Sequence, residues 1–567
     1  MSTKIMCEVP TSERVSAELQ ETPDIYGAYP RLSEMQIATL EAGGERRAVA
    51  PGEILVREGT RTDNFYVILS GKVAVTALDP LGEQRTLRVH GPGRFLGELG
   101  DLEGQAAFYT AQVAEAGEVL VVAAQLVRTL VAQDPVLSDL ILRAFLIRRT
   151  MLIEEGTGFW IIGSCYSPDT TRLREFAARN RLPHRWLDLE QEKDTECLLR
   201  RYGVAPQDTP VVIWGDEVLR NPPNSELARR VGLPVPDVIH DERDLIVIGA
   251  GPAGLAAAVY GSSDGLTTAA AEAIATGGQA GTSSRIENYL GFPSGLSGAE
   301  LAERALIQAK KFGADLMISA EARRLESDGG QHLVCLGDGT FVVGRAVVLA
   351  TGARYRKLAV SGIERFEGNG VYYAATFQEA LLCGAGPVVI VGGGNSAGQA
   401  AVFLASRISR VYLLIRSGDI AKDMSRYLID QIQQQPRINV CLHTEVREVH
   451  GRKQVETVVV EDNQTGEQRR IDTTALFVFI GAAPNTEWLH GVVSLDDHGF
   501  IATGSAAMYS PDDRAGLRID REPMMLETSR AGIFAAGDVR SGSVKRIASA
   551  VGEGSIAVRL VEQYLLA

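Results

Sequence analysis

The chain has no run of about 18 apolar residues, so nothing in it reads as a membrane span. Its opening, MSTKIMCEVPTSERV, lacks the apolar stretch of a secretory signal, and a cytoplasmic location is expected. Positive charge is not in excess: 57 Lys plus Arg stand against 71 Asp plus Glu, a formal net charge of −14. That sign argues against nonspecific nucleic-acid binding, which needs a basic face to release counterions, and against electrostatic attachment to lipid. Neither nucleic acid nor membrane is an expected partner. The six cysteines, Cys7, Cys165, Cys197, Cys335, Cys383 and Cys441, include no CxxC pair. This suits a reducing compartment and excludes a Cys-rich zinc site, so no metal is expected. The 59 glycines follow no Gly-X-Y period, which excludes collagen and leaves turns and nucleotide loops.

What is present is a multidomain chain. At roughly 150 residues per domain, 567 residues predict about three to four. Residues 1–30 are polar and weakly patterned, a flexible lead-in. Over 31–155, strand-like pieces (Glu53 to Val56, Asn64 to Leu69, Lys72 to Thr76, Val119 to Ala123) are broken at Gly59 and Ser70-Gly71, predicting a β-sandwich or barrel. Helical spacing follows through 124–155. Over 156–240 a small α/β unit is expected: strands at Phe159 to Ile162, His184 to Asp188 and Pro210 to Trp214, and a helix from Pro168 capped by Ser167. From 241 on, a buried-type strand running straight into Gly-rich sequence and a small-residue helix occurs twice. This predicts two Rossmann-like three-layer α/β domains: a first domain in two parts, 241–362 and 488–567, and a second inserted at 363–487.

GAGPAG, Gly249 to Gly254, follows the strand Asp244 to Ile248. In GxGxxG the first glycine makes the turn, the second admits a pyrophosphate, and the third lets helix and strand pack, with the helix N-terminus facing the phosphates. Glu272 follows about 20 residues on, where a carboxylate takes a ribose hydroxyl. GGGNSA, Gly392 to Ala397, is a GxGxxA version. Its next strand ends at Arg416, a cation suited to a ribose 2′-phosphate. VLATGA (Val348 to Ala353) and GIFAAGDV (Gly532 to Val539) complete a flavin site, the Gly537-Asp538 step letting backbone approach a cofactor while the carboxylate takes a hydroxyl.

From about Asp244 to Ala567 the chain resembles the low-molecular-weight thioredoxin reductase family, through GAGPAG, GGQAG, ENYLGFP, VLATGA, GGGNSA, FIGAAPNT, FAAGDV and AVGEGSIA in order. The resemblance implies FAD on the first domain, NADPH or NADH on the second, and a homodimer. It implies FAD contacts from Gly249, Gly251, Pro252, Ala253, Gly254, Glu272, Gly278, Gln279, Asn288, Thr351, Gly352, Gly537, Asp538, Lys545, Arg546 and Ile547. It implies nicotinamide-nucleotide contacts from Gly392, Gly394, Asn395, Ser396, Arg416 and Gly481.

The departures carry as much information. The family's redox segment reads like GVxYCATCD, whereas Gly370 to Gln378 reads GVYYAATFQ. Ala374 and Phe377 replace the Cys pair and Gln378 the acid, so no catalytic dithiol exists there, and a side chain without a thiolate cannot carry out thiol–disulfide exchange. Cys335 and Cys383 sit in no motif that replaces it. The family follows its second-domain strand with adjacent arginines; here Ser417 follows Arg416 and Ala421 sits near the third position, with Lys422 or Arg426 as substitutes, which leaves NADPH against NADH open. The family's Arg-Gln pair near the flavin is Lys545-Arg546.

Residues 45–150 resemble the cyclic-nucleotide-binding domain of the catabolite-activator type, through PGEILVREG, FYVILSGKV and GPGRFLGEL. Gly97, Glu98 and Leu99 are the implied ligand residues, Glu98 taking a ribose hydroxyl. The arginine expected for the cyclic phosphate is absent from Glu103 to Val113, so a cyclic nucleotide, another small ligand and a purely structural role all stay open. Residues 158–236 resemble a glutaredoxin/thioredoxin fold whose loop, Ser164 to Ser167, has lost its CxxC. Cys165 reads as either inert or, from its place before a helix, a lowered-pKa thiol.

Three functional readings follow. The leading one is an NAD(P)H-dependent FAD oxidoreductase moving hydride from nicotinamide to flavin N5 without a dithiol relay, its acceptor (oxygen, a quinone or a carrier protein) unidentified and its N-terminal domain regulatory. A flavin- or nucleotide-responsive sensor is the alternative, and thioredoxin-disulfide reduction is a matter of ancestry. The thioredoxin-like part is also a candidate to dock where free thioredoxin docks in the relatives.

Overall fold

The computed structural model describes residues 20–78, 84–98, 100, 104–190, 195–236, 241–283, 285–328, 330–367, 370–373, 375, 380, 383–384, 386–452, 454–508 and 521–567. The chain divides into two compact units. One runs through Phe159 and takes in Pro183–Arg185 and Trp214–Glu217; the other holds the rest.

The first unit is an antiparallel sheet in the order Gly44–Val49, Thr110–Ala123, Asn64–Leu78, Gln84–His90, with Ile54–Val56 also on Thr110–Ala123. Asn64–Leu78 is one strand, not two pieces around a turn. Gly71, at φ +80°, absorbs the bend, and the ladder resumes after register shifts on both sides. The helical stretch is two helices, Ala124–Gln133 and Pro135–Glu154. Pro135 has no N–H to continue the first, and the Asp134 carboxylate caps the second by accepting from the Val136 and Leu137 amides. Phe65 and Phe95 stack at 5.5 Å, and Phe145 packs tilted against both, at 6.4 and 5.8 Å, in the core between sheet and helix. Residues 20–30 are not a loose lead-in: the Thr22 amide donates to Val89 O at 3.0 Å, and Ala28 and Tyr29 are buried. Residues 1–19 lie outside the described residues.

Next in the chain is a four-stranded sheet in the order His184–Asp188, Phe159–Gly163, Val211–Trp214, Glu217–Arg220. The helix Pro168–Arg179 begins as the sequence predicts, Ser167 accepting from the Thr170 amide, and the Thr209-Pro210 peptide is cis. A seven-stranded sheet follows, in the order Asp315–Ile318, Thr268–Glu272, Arg243–Ile248, Phe341–Leu349, Gln331–Leu336, Ala322–Asp328, with Ile533–Ala535 beside Phe341–Leu349. Leu245 to Ile248 are all buried because the central parallel strand is covered on both faces. A second, five-stranded parallel sheet runs Val371–Tyr372, Ala475–Val478, Val388–Val391, Val411–Leu414, Ile438–Cys441. The two chain crossings between these sheets pair antiparallel as Ala353–Tyr355 and Ala482–Pro484.

Candidate functional site

Four segments of the seven-stranded domain converge on the start of the helix Pro252–Ser263. Pro252 sits at its first turn, where a missing N–H costs nothing, and Gly251 is its N-cap. Gly254 is dictated by packing: a Cβ there would lie 1.8 Å from Gly249 O, so helix and strand touch through backbone. Gly249, at φ +99°, runs against Ala350 and Thr351. Gly251 is different. Its Cβ would meet only Gly278 Cα, at 3.8 Å, which leaves a cradle of bare backbone between the two glycine loops. Gly537 closes the group from below, its Cβ position 2.9 Å from Ala253 Cβ. This geometry fits the pyrophosphate of a dinucleotide.

Polar groups surround the cradle. Glu272 ends the strand Thr268–Glu272 and ties the loops together: Oε2 accepts from the Ala250 amide at 2.8 Å, Oε1 from those of Ile274 and Ala275 at 3.0 and 3.3 Å. Gln279 donates its side-chain amide to Ala353 O. Thr351 Oγ1 donates to Asn485 O at 3.0 Å, and Gly352, at φ +64°, has open space around its Cβ position. Asp538 is half-buried, its carboxyl pushed above the ordinary range by burial, with Lys545 opposing and Glu553 adding to the rise. Lys545 Nζ donates to Asp538 O and to Ser543 Oγ. Exposed Arg546 is the N-cap of the last helix, Ile547–Leu566, and Ile547 its first residue. Asn288 is exposed on the loop closed by the Ile286–Leu296 bridge, and no described contact draws it to the cradle.

The second loop repeats the design. Gly392, at φ +144°, lies where a Cβ would be 2.3 Å from Phe479 O. Gly394 caps the helix Asn395–Ala405, and Asn395 Oδ1 accepts from the Ser425 amide at 2.7 Å. Ser396 and Arg416 are exposed, and the Arg416 carbonyl accepts from the Asn463 side-chain amide at 3.0 Å. Exposed Gly481 sits at φ +99°. Arg426 is drawn off by Asp430 at 2.9 Å, while Lys422 is exposed.

In the first unit the predicted Gly97 and Glu98 lie side by side, but Glu98 is not open to a ligand. Arg149, on the helix Pro135–Glu154, grips it through two bonds of 2.6 and 2.9 Å, and the side chains are 1% and 2% exposed. The reason is desolvation: a carboxylate that deep needs a cation, and the helix supplies one. Leu99, Ala374, Phe377 and Gln378 lie outside the described residues. Cys165 is no activated thiol; burial and then the Asp188 carboxylate push it up to about 11. Cys383 is buried. Among the described residues no group of three or more potential ligands is placed to hold a metal, and no helix is long and apolar enough to cross a membrane.

Sequence reasoning missed Arg149, whose helical neighbours give no hint of the cassette it reaches. It also missed Glu553, whose carboxylate accepts from the Gly537 amide at 2.7 Å and pairs with Arg540. The signal for the latter lay in AVGEGSIA, an acid between two helix glycines.

Residues 243–554 match the family described as pyridine nucleotide-disulphide oxidoreductase, and residues 46–134 match the cyclic nucleotide-binding domain. The chain is 35% identical over 323 residues to a thioredoxin reductase of Mycolicibacterium smegmatis, covering 57% of this chain and 96% of the relative. It is 33% identical over 323 residues to the thioredoxin reductase of Bacillus subtilis, covering 57% and 94%. The crystal structure of Lactococcus lactis thioredoxin reductase superposes with a TM-score of 0.52 at 26% identity, covering 57% of this chain and 99% of that one.

Proposed function

We propose, from the premise that the chain belongs to the pyridine nucleotide-disulphide oxidoreductase family and is an NAD(P)H flavoprotein oxidoreductase, that its electrons leave without passing through a dithiol of its own. The observation that carries the FAD assignment is the cradle between Gly251 and Gly278, with Glu272 tying the neighbouring Ala250 and Ile274 together. FAD held there supplies hydride acceptance from a nicotinamide ring and electron release to an acceptor. The chain's own residues do the rest. The Gly251 cap and the helix behind it receive the pyrophosphate, Glu272 offers its remaining lone pairs to a ribose, and Asp538 takes a hydroxyl of the chain leading to the flavin ring. Gly392, Gly394 and Ser396 receive the nicotinamide nucleotide, with Arg416 at its 2′ position. Ala374 and Phe377 can neither attack nor be reduced, so an external acceptor (oxygen, a quinone or a carrier protein) must take the electrons.

A cytoplasmic homodimer is part of the proposal, with the parts divided as 31–155, 156–240, 241–362, 363–487 and 488–567. Regulation through residues 46–134 is kept, but the mutual engagement of Glu98 and Arg149 favours a ligand other than a cyclic nucleotide. The test is an anaerobic titration with NADPH and then NADH, following the visible flavin band, before and after alkylation of every cysteine. Bleaching that survives alkylation, with no reduction of thioredoxin, is expected. Reoxidation of the bleached flavin by an added acceptor that is lost on alkylation would restore a thiol relay; no bleaching at all would favour the sensor reading.

A further inference from the structure

The helix Pro168–Arg179 ends against the flavin-nucleotide loops, and its last residues are unusual. The position after the C-cap takes a left-handed conformation, with the Arg181 amide bonded to Ala178 O and the Leu182 amide to Ala177 O. Glycine is the ordinary occupant of that position, because a Cβ is strained there. Here it is Arg181, at φ +50°, and its side chain pairs with Glu303, a carboxylate only 9% exposed on the helix Gly298–Lys311. The C-cap itself, Asn180, donates one amide group to Phe176 O at 2.9 Å and to Ile274 O at 3.0 Å.

Both contacts lead to the cradle. Ile274 is held from the other side by its own amide, which donates to Glu272 Oε1 at 3.0 Å; Glu272 in turn holds Ala250. Glu303 is next to Ala302, whose Cβ lies 2.5 Å from where a Gly277 Cβ would be, and the Gly277 amide donates to Ala250 O at 2.7 Å. The turn carrying the ribose carboxylate is therefore clamped between the first loop and residues 180–181.

We propose that the thioredoxin-like part is a brace for the FAD site: Asn180 and Arg181 position the Glu272 turn, and FAD retention depends on them. This rests on the FAD assignment above. It gives a part without a CxxC a reason to persist. It also places that part's helix end at the adenosine side of the cradle, engaged with FAD-domain backbone, rather than leaving the part free to shuttle electrons.

The experiment measures FAD affinity of the full-length protein by deflavination and reconstitution, for wild type, Asn180→Ala, Arg181→Gly, Arg181→Lys and Arg172→Ala. Arg181→Gly keeps the left-handed backbone while deleting the ion pair, so it separates the contact from helix termination. Asn180→Ala and Arg181→Gly should each raise the FAD dissociation constant about tenfold, the size of one lost positioning bond to a buried or charged group. Arg181→Lys should recover most of it. Arg172→Ala, which disturbs a polar knot with Asn221 and Asn224 in the same part, should leave it unchanged. Unchanged affinity in Asn180→Ala and Arg181→Gly, or equal losses in all four variants, would overturn the brace. A wild type that binds no FAD would overturn the assignment beneath it as well.

Discussion

The amide of Gly537 donates to the Glu553 carboxylate at 2.7 Å, and the same carboxylate holds the Arg540 guanidinium through both its oxygens. One side chain of the final helix thus pins both ends of the turn that presents Asp538. Glu553→Gln can still accept from Gly537, but it loses the charge that holds Arg540. We expect its FAD dissociation constant to rise about tenfold, the scale of a charge-assisted bond, and Glu553→Ala to lose more. Reconstitution with FAD and the visible spectrum of the bound flavin check this. Wild-type affinity in Glu553→Ala would remove the positioning role.

Glu98 and Arg149 form the most deeply buried ion pair among the described residues of the first unit. Removing one partner strands the other charge, so Arg149→Ala should destabilise the unit by roughly 3–5 kcal/mol. Denaturant unfolding of the full chain reports it as an early separate transition. Because the pair leaves Glu98 engaged, cyclic AMP or cyclic GMP should not raise the melting temperature of the wild type. A rise that disappears in Glu98→Gln would reinstate the cyclic-nucleotide reading.

The repeated strand–loop–helix units were legible because their chemistry is local. Gly249, Gly251 and Gly254 lie within six residues, and at Gly254 no side chain fits because a Cβ would lie 1.8 Å from Gly249 O. The helix at Pro168 was legible for the same reason, from Ser167 and Pro168 side by side. What stayed hidden depends on partners distant in sequence. Arg149 meets Glu98, Asn180 meets Ile274, and Glu553 meets Gly537 only after the domains fold. Gly71 misled in the other direction: the same glycine that ends a strand can carry a bulge within one, and only the pairing with Thr110–Ala123 decides.

On the proposed function, Arg416 is the residue that would set nucleotide preference. It is exposed at the end of the strand Val411–Leu414, while Arg426, a possible substitute, is paired with Asp430. Arg416→Ser should raise KM for NADPH about tenfold and leave KM for NADH unchanged, because only the 2′-phosphate carries the charge it would bind. Equal changes for the two nucleotides would show that Arg416 supports the loop rather than reading the phosphate.

Glu58 supplies a pH dependence whose direction is opposite to that of most carboxylates. Burial pushes its carboxyl from 4.5 up to about 7, against the lowering effect of bonds from the Leu78 amide and from Trp214 Nε1, which donates to Oε1 at 3.3 Å. In the unfolded chain the proton leaves near the ordinary value; in the fold it stays until about 7. Between those values the folded state binds more protons, so raising the pH favours unfolding. Stability of the first unit should therefore fall from about pH 4.5 to about pH 7, by at most roughly 3 kcal/mol from this group, and level off above. Glu58→Gln keeps an acceptor for Trp214 and cannot ionise, so its unfolding free energy should lose that slope. Trp214 emission gives a second readout, since a carboxylic acid and a carboxylate beside the indole N–H differ in charge. A wild-type titration with its midpoint near 7, absent in Glu58→Gln, is the expected result. A wild-type slope that persists in the variant would assign the pH dependence to another group.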